Sequence, residues 1–278
     1  MMEKPTIRIL ADSSCDLVDV FPVAPLKIIT ADKEYVDDSA LDVAGMVEAL
    51  KHYKGKSSTS CPNAEDWLSL FGEAEAVICV TITGTLSGSY NAACMAKELY
   101  ETAHPERRVF VVNSLSVGPE MVLLLERLQS LAAQGASFEA CCEAIEAYRQ
   151  RTGLLFVLES MNNLANNGRV NRLLAKAAGV LGVRAVGCAS AQGDLQLLAK
   201  CRGEQKTVQT LIQLLGDQGY AGGKLHIAHC FNEKAADALK EAVEREFTAA
   251  CVTVYPCRGL CSFYAEQGGL LVGFEKSR

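Results

Sequence analysis

The run Ala76-Val77-Ile78-Cys79-Val80-Thr81 is apolar almost throughout, passes into the loop Ile82-Thr83-Gly84-Thr85-Leu86-Ser87-Gly88, and is followed by a helical pattern from Ser89 to Tyr100. Short, rich in β-branched residues and bounded by turn residues, the run reads as a strand buried on both faces. A buried strand that hands over directly to a helix is half of a βαβ unit, which commits this part of the chain to an α/β sheet. The loop then sits at the carboxyl end of a strand. Open α/β sheets bind ligands there, and hydroxyls and helix-terminal N–H groups can receive an anion. On local pattern alone, Ser87 serves equally well as a plain helix cap.

The alternation continues along the chain. Strands are expected at 6–10, 26–29, 76–82 and 108–112, and helices at 43–53, 64–71, 89–100, 117–133 and 138–150. A second series has strands at 154–158, 183–189, 195–200, 224–230, 251–255 and 270–274, with helices at 170–178, 204–215 and 233–246. The turn Gln192-Gly193-Asp194 marks a hairpin between two of those strands. At 278 residues the chain exceeds the size at which one core stops growing. The expectation is two α/β domains, residues 1–153 and 154–278, with mainly parallel sheets wrapped by helices and a ligand at the interface.

Composition narrows the function classes. With 49% hydrophobic residues there is ample material for two cores, and a net charge of −6 argues against binding a nucleic-acid backbone. No apolar run approaches the roughly 18–20 residues of a membrane span. Met1-Met2-Glu3-Lys4-Pro5 lacks the apolar core of a signal peptide, so a cytoplasmic location is expected. Twelve cysteines lie scattered without a Cys-x-x-Cys pair, which suits small core hydrophobes better than a metal site or a disulfide scaffold. Neither a Walker loop nor a Gly-x-Gly-x-x-Gly is present, and no Gly-x-Ser-x-Gly elbow supports a hydrolase built from Asp12, Ser13, Ser87 and His229.

A second hydroxyl-rich loop, Lys56-Ser57-Ser58-Thr59-Ser60-Cys61-Pro62-Asn63, also ends at a helix start. Together with Asp12-Ser13-Ser14 after the first strand, Thr59-Ser60-Cys61-Pro62, Leu86-Ser87-Gly88-Ser89-Tyr90, the stretch from Met161 to Arg169, and Lys200-Cys201-Arg202, it resembles the DegV family. That family consists of fatty-acid-binding proteins that present acyl chains to a fatty acid kinase. The blocks keep the family's order over nearly the whole chain.

The resemblance implies a binding protein whose ligand is a long-chain fatty acid, with catalysis left to a kinase partner and no metal or other cofactor. Thr59 and Ser87 would hold the carboxylate, with Asp12, Ser13, Ser60, Gly88 and Arg169 in the vicinity of the head group. Hydroxyls suit that task, because they replace the water stripped from a carboxylate without adding a buried counter-charge. The tail would lie in the second domain against Leu164, Leu173, Leu174, Val180, Leu181 and Phe263, and Arg202 would engage the kinase. The family's usual His-x-Gly-Pro-Gly loop is replaced by Tyr264-Ala265-Glu266-Gln267-Gly268, which puts Tyr264 at the histidine position and Glu266 where it would oppose a doubly charged acyl phosphate. The competing reading is an enzyme acting on a small anionic substrate in the same cleft.

Overall fold

The computed structural model describes residues 7–171 and 182–277. Its first part runs β1 (Ile7–Asp12), β2 (Val23–Ala24), β3 (Lys27–Ile29), β4 (Glu34–Val36), α1 (Val43–His52), β5 (Ser58–Ser60), α2 (Ala64–Phe71), β6 (Ala76–Thr81), α3 (Ser89–Ala103) and β7 (Arg108–Asn113). Two helices follow, α4 (Pro119–Ala133) and α5 (Phe138–Arg149). The rest comprises β8 (Thr152–Leu158), α6 (Asn162–Asn166), β9 (Val183–Ala189), β10 (Leu195–Arg202), α7 (Glu204–Asp217), β11 (Gly223–His229), α8 (Glu233–Glu246), β12 (Ala250–Pro256), α9 (Gly259–Ala265) and β13 (Leu270–Glu275).

Three sheets result. The first, in the order β2-β1-β6-β7, is parallel throughout, as the strand–loop–helix pattern demands. Its side chains alternate between two layers: Leu10, Val77 and Cys79 pack with Trp67, Phe71 and Tyr100, while Ala11, Ile78 and Val80 meet Met121, Leu124 and Leu125 of α4. The second sheet, β10-β9-β8-β13-β11-β12, corrects the expectation of parallel pairing, because only β11 and β12 run parallel. The cause is local. The hairpin at Ser190–Asp194 reverses β9 into β10, and β13 follows α9 back into the middle of the sheet against both neighbours. A small antiparallel sheet, β4-β3-β5, packs through Ile28 and Tyr35 against Met46 of α1 and Phe263 of α9.

Helix α4 explains its own composition. Residues 119–125 are all buried, because the helix lies between the first sheet and strands β8, β11 and β13 of the second. Two helical turns buried on every side need such a position. Of the twelve cysteines eight are buried, and those in the interior pack as small hydrophobes within the core clusters. Among the described residues no helix is long and apolar enough to cross a membrane.

The short helix α9 is held from far away in sequence. Asp37 accepts from Gly259 N (2.8 Å) and Leu260 N (2.9 Å), and Asp16 Oδ1 accepts from Arg258 N (2.8 Å). Burial lifts the Asp16 carboxyl from its ordinary 3.8 to about 8, with the nearby Asp37 adding to the rise. The unfolded chain releases this proton near 3.8 and the folded chain near 8. The group's contribution to stability is therefore complete below the lower value and is lost as pH rises toward the upper one. Asn at this position keeps the Oδ1 acceptor and tolerates the φ of 66°. Asp16→Asn should accordingly gain on the wild type in melting temperature as the pH is raised from about 5 to about 8.5; a constant difference would refute this account of Asp16.

Candidate functional site

The loop after β6 is tied down at almost every residue. Ile82 N donates to Asp12 Oδ2 (2.9 Å), Thr83 N to Ser116 O (2.9 Å) and Gly84 N to Asn113 Oδ1 (3.1 Å). Thr85 Oγ1 donates to Gly193 O (2.9 Å) at the tip of the β9–β10 hairpin. Gly193 has φ 86°, and a Cβ there would lie 2.1 Å from Thr83 Oγ1, so that tip needs glycine for both conformation and space. Ser87 Oγ accepts from Ser89 N at 3.3 Å, and no described residue takes the Ser87 hydroxyl proton. It is available to a ligand.

The second hydroxyl loop meets the first. A Cβ at Gly88 would stand 3.0 Å from Cys61 Sγ, so the glycine permits the close approach. Asn63 and Asp66 form a reciprocal capping box that fixes the start of α2 and hence the end of this loop. Thr59, on β5, shares a 2.7 Å hydrogen bond with the Tyr264 hydroxyl of α9. Two hydroxyls joined by one hydrogen bond keep one proton to donate. Burial pushes the Tyr264 hydroxyl upward from its ordinary value, while the Thr59 bond and the Arg169 charge pull it down.

These groups form part of the wall of a cavity of about 250 Å³. Its polar patch is Thr59, Ser60, Ser87, Arg169 and Tyr264, with Cys61 and Gly88 between them. Arg169 reaches this position by donating from Nε to Leu86 O at 3.1 Å and from its guanidinium to Asn167 O. The remaining wall is apolar: Leu154, Phe156 and Leu158 from one face of β8, Leu164 of α6, Leu195, Leu271 and Val117, closed by Leu26, Ile82, Leu86, Leu260, Cys261 and Ala265. An adjoining polar cleft of about 430 Å³ shares Leu86, Ser87, Gly88 and Arg169 and adds Thr85, Asn91 and Asp194.

Several residues singled out in the sequence lie elsewhere. Asp12 and Ser13 are fully buried behind the cavity: Asp12 is occupied by Ser14, Ile82 and Ser89, and Ser13 Oγ accepts from Leu26 N. Arg202 is exposed at the end of the edge strand β10. Phe263 lies in the cluster of Ile28, Tyr35 and Met46 and is not part of the cavity wall. Glu266 is not part of the cavity wall; its carboxylate accepts from Asn163 N (3.0 Å) at the start of α6. Leu173, Leu174, Val180, Leu181 and most of the helix expected from Val170 fall outside the described residues.

Among the described residues, Asp12, Ser13, Ser87 and His229 are not brought together. His229 accepts from Asn232 N at 3.3 Å and lines neither cavity, and Asp12 has no contact with a histidine. Among the described residues no cluster of histidine, cysteine, aspartate or glutamate is arranged to hold a metal ion. The sequence reading missed the wall from β8, Leu195 and Leu271. Alternation along Leu154 to Leu158 was the available signal, masked because the other face of the strand is equally apolar.

A family model described as "Uncharacterised protein, DegV family" matches residues 6–276. A DegV domain-containing protein of Streptococcus pneumoniae is 44% identical, over 97% of this chain and 99% of its own, and one from Streptococcus gordonii is 39% identical over the same shares. Among solved structures, a DegV family protein from Eubacterium eligens loaded with heptadecanoic acid superposes with a TM-score of 0.95 at 42% identity, covering 98% of this chain and 100% of that one. The Streptococcus pneumoniae Fatty Acid Kinase (Fak) B3 protein loaded with linoleic acid gives 0.95 at 44% identity, covering 97% and 99%.

Proposed function

This chain belongs to the DegV family, and on that premise we propose that it binds a long-chain fatty acid and presents it to a fatty acid kinase. Residues 1–153 and 154–278 act as two domains, the first supplying Thr59 and Ser87, the second the acyl pocket and Tyr264. The observation that carries this reading is one cavity whose wall is apolar except for a contiguous patch of hydroxyls beside a single guanidinium. Each buried methylene of a tail contributes about 0.8 kcal/mol before ordering costs, so the apolar wall supplies affinity. The patch keeps the carboxylate from being stranded. Fatty acids in the related Eubacterium eligens and Streptococcus pneumoniae proteins support the same ligand class here. The reading calls for no metal or cofactor, and it places the protein in the cytoplasm.

Mass spectrometry of lipid extracted from purified protein tests this directly. A long-chain fatty acid near one per chain is expected. Lipid-free protein that also fails to take up added fatty acid would overturn the proposal.

Presentation to a kinase separates two surfaces. Arg202 stands outside the cavity, so Arg202→Ala should leave fatty-acid affinity within about twofold and lower the rate of phosphorylation by a cognate kinase. Loss of lipid binding in that variant would place the residue's role in the pocket. The polar cleft beside Ser87 and Arg169 offers room for a phosphoryl group. Tyr264 remains neutral near pH 7, whereas histidine titrates near 6.5 and can add positive charge. Tyr264→His should therefore raise phosphorylation more than it raises fatty-acid affinity; equal phosphorylation of the two forms would contradict this.

A further inference from the structure

The turn that follows β1 lines neither cavity, yet hydrogen bonds from it reach both the loop that carries Ser87 and the start of the helix that carries Tyr264. The Asp12 carboxylate is fully buried and takes four donors: Ile82 N (2.9 Å) and Ser89 Oγ (2.6 Å) on Oδ2, and the Ser14 amide (3.3 Å) and hydroxyl on Oδ1. An ionised carboxylate offers about four acceptor positions. All are used within the protein. Ile82 and Ser89 bracket residues 83–88, so one carboxylate fixes both ends of the loop that carries Ser87.

Four residues on, Asp16 performs the same service for the other donor. Its backbone is left-handed, with φ 66°, and Oδ1 accepts from Arg258 N (2.8 Å), the residue before α9 and six before Tyr264. Between the two, Ser14 O accepts from Gly118 N (2.8 Å) and from the Cys261 thiol (3.4 Å), binding the start of α4 and the cavity face of α9 to the same turn. Elements far apart in sequence are therefore referenced to one short 3-10 turn, Ser13–Cys15.

We propose that Asp12 and Asp16 are positioning residues for the head-group site, Asp12 setting the Ser87 loop and Asp16 setting α9 with Tyr264, so that the turn between them fixes the separation of the donors. The proposal rests on the fatty-acid reading above and adds residues that never touch the ligand. Hydrogen bonds weaken steeply with small errors of length and angle, so a carboxylate held by donors on two elements is sensitive to their spacing. A tail in an apolar cavity is not.

That difference supplies the test. Dissociation constants for hexadecanoic acid and hexadecan-1-ol are measured on the full-length protein after delipidation, for the wild type, Asp12→Asn, Ser89→Ala, Asp16→Ala and Asp16→Asn. Acid and alcohol share a tail, so a general loss of fold weakens both, whereas mispositioned donors weaken the acid alone. The acid-over-alcohol preference should fall at least tenfold in Asp12→Asn, Ser89→Ala and Asp16→Ala, with alcohol affinity retained. Asp16→Asn, which keeps the acceptor for Arg258 N, should preserve it. An unchanged preference in Asp12→Asn and Ser89→Ala, or equal losses for both ligands, would overturn the proposal. A wild type without any preference for the acid would overturn the head-group reading itself and this inference with it.

Discussion

Replacing Thr59 and Ser87 together by alanine is expected to weaken fatty-acid binding more than either change alone, by upwards of about tenfold. Removing a donor to a buried charged group costs ~1.5–3 kcal/mol, and each 1.4 kcal/mol is a factor of ten. Ser87→Ala alone should cost about tenfold or more on that scale. Thr59→Ala also breaks the 2.7 Å bond to Tyr264, which leaves that hydroxyl free to turn toward the ligand and makes the single loss the smaller of the two. The effects should be less than additive for this reason, since neighbouring donors serve one acceptor. Titration calorimetry with a delipidated protein measures them. Unchanged affinity in the double variant would remove both residues from the head-group site.

A large stability change is expected at Gly273 in β13. A Cβ there would come within 2.4 Å of Glu120 N and of Pro119 C, both backbone atoms of the first turn of α4. Neither can rotate aside. Overpacking a core costs ~1–3 kcal/mol where side chains can yield, so Gly273→Ala should reach the upper end, about 3 kcal/mol, and Gly273→Val should exceed it. Gly216, in α7, is the natural control, because a Cβ there meets nothing within 4 Å and the residue is exposed. Alanine at Gly216 should be neutral or gain up to about 1 kcal/mol through helix propensity. Denaturant unfolding distinguishes the two; similar midpoints for Gly273→Ala and the wild type would mean that α4 does not seat against β13 as described.

Some of this fold was legible because local chemistry and tertiary structure agree. Helix α2 begins directly after the hydroxyl-rich loop ending at Asn63, as expected, and the β6–loop–α3 unit forms as its apolar run and Gly/Ser/Thr loop require. The small sheet was harder to see. Only its middle strand, β3, carries an apolar run; β5 is Ser58-Thr59-Ser60, which has no apolar face and is a strand only through pairing with β3. Helix α9 was also missed, since a seven-residue segment opening on Gly259 has little intrinsic helical preference and depends on Asp37 and Asp16, more than 200 residues earlier. Antiparallel pairing in the second sheet is likewise a property of which strands meet. Residue type carries no mark of it.

The polar residues show the same division. Ser87 and Thr59 announce themselves as hydroxyls in loops at helix starts, and the structure brings both to one cavity with Arg169 and Tyr264. Asp12 announces itself equally well, but its neighbours consume every acceptor position, which only distances can reveal. The cavity wall hides for a different reason: Leu154, Phe156 and Leu158 alternate with Leu155 and Val157, and both faces of the strand are buried.

A crystal structure of this protein with hexadecanoic acid tests the central claim most directly. The carboxylate is predicted within hydrogen-bonding distance of the Ser87 hydroxyl and of Thr59 or Tyr264, with the tail running along Phe156 and Leu271. A fatty acid bound with its carboxylate away from these hydroxyls, or with its tail outside that cavity, would contradict the account.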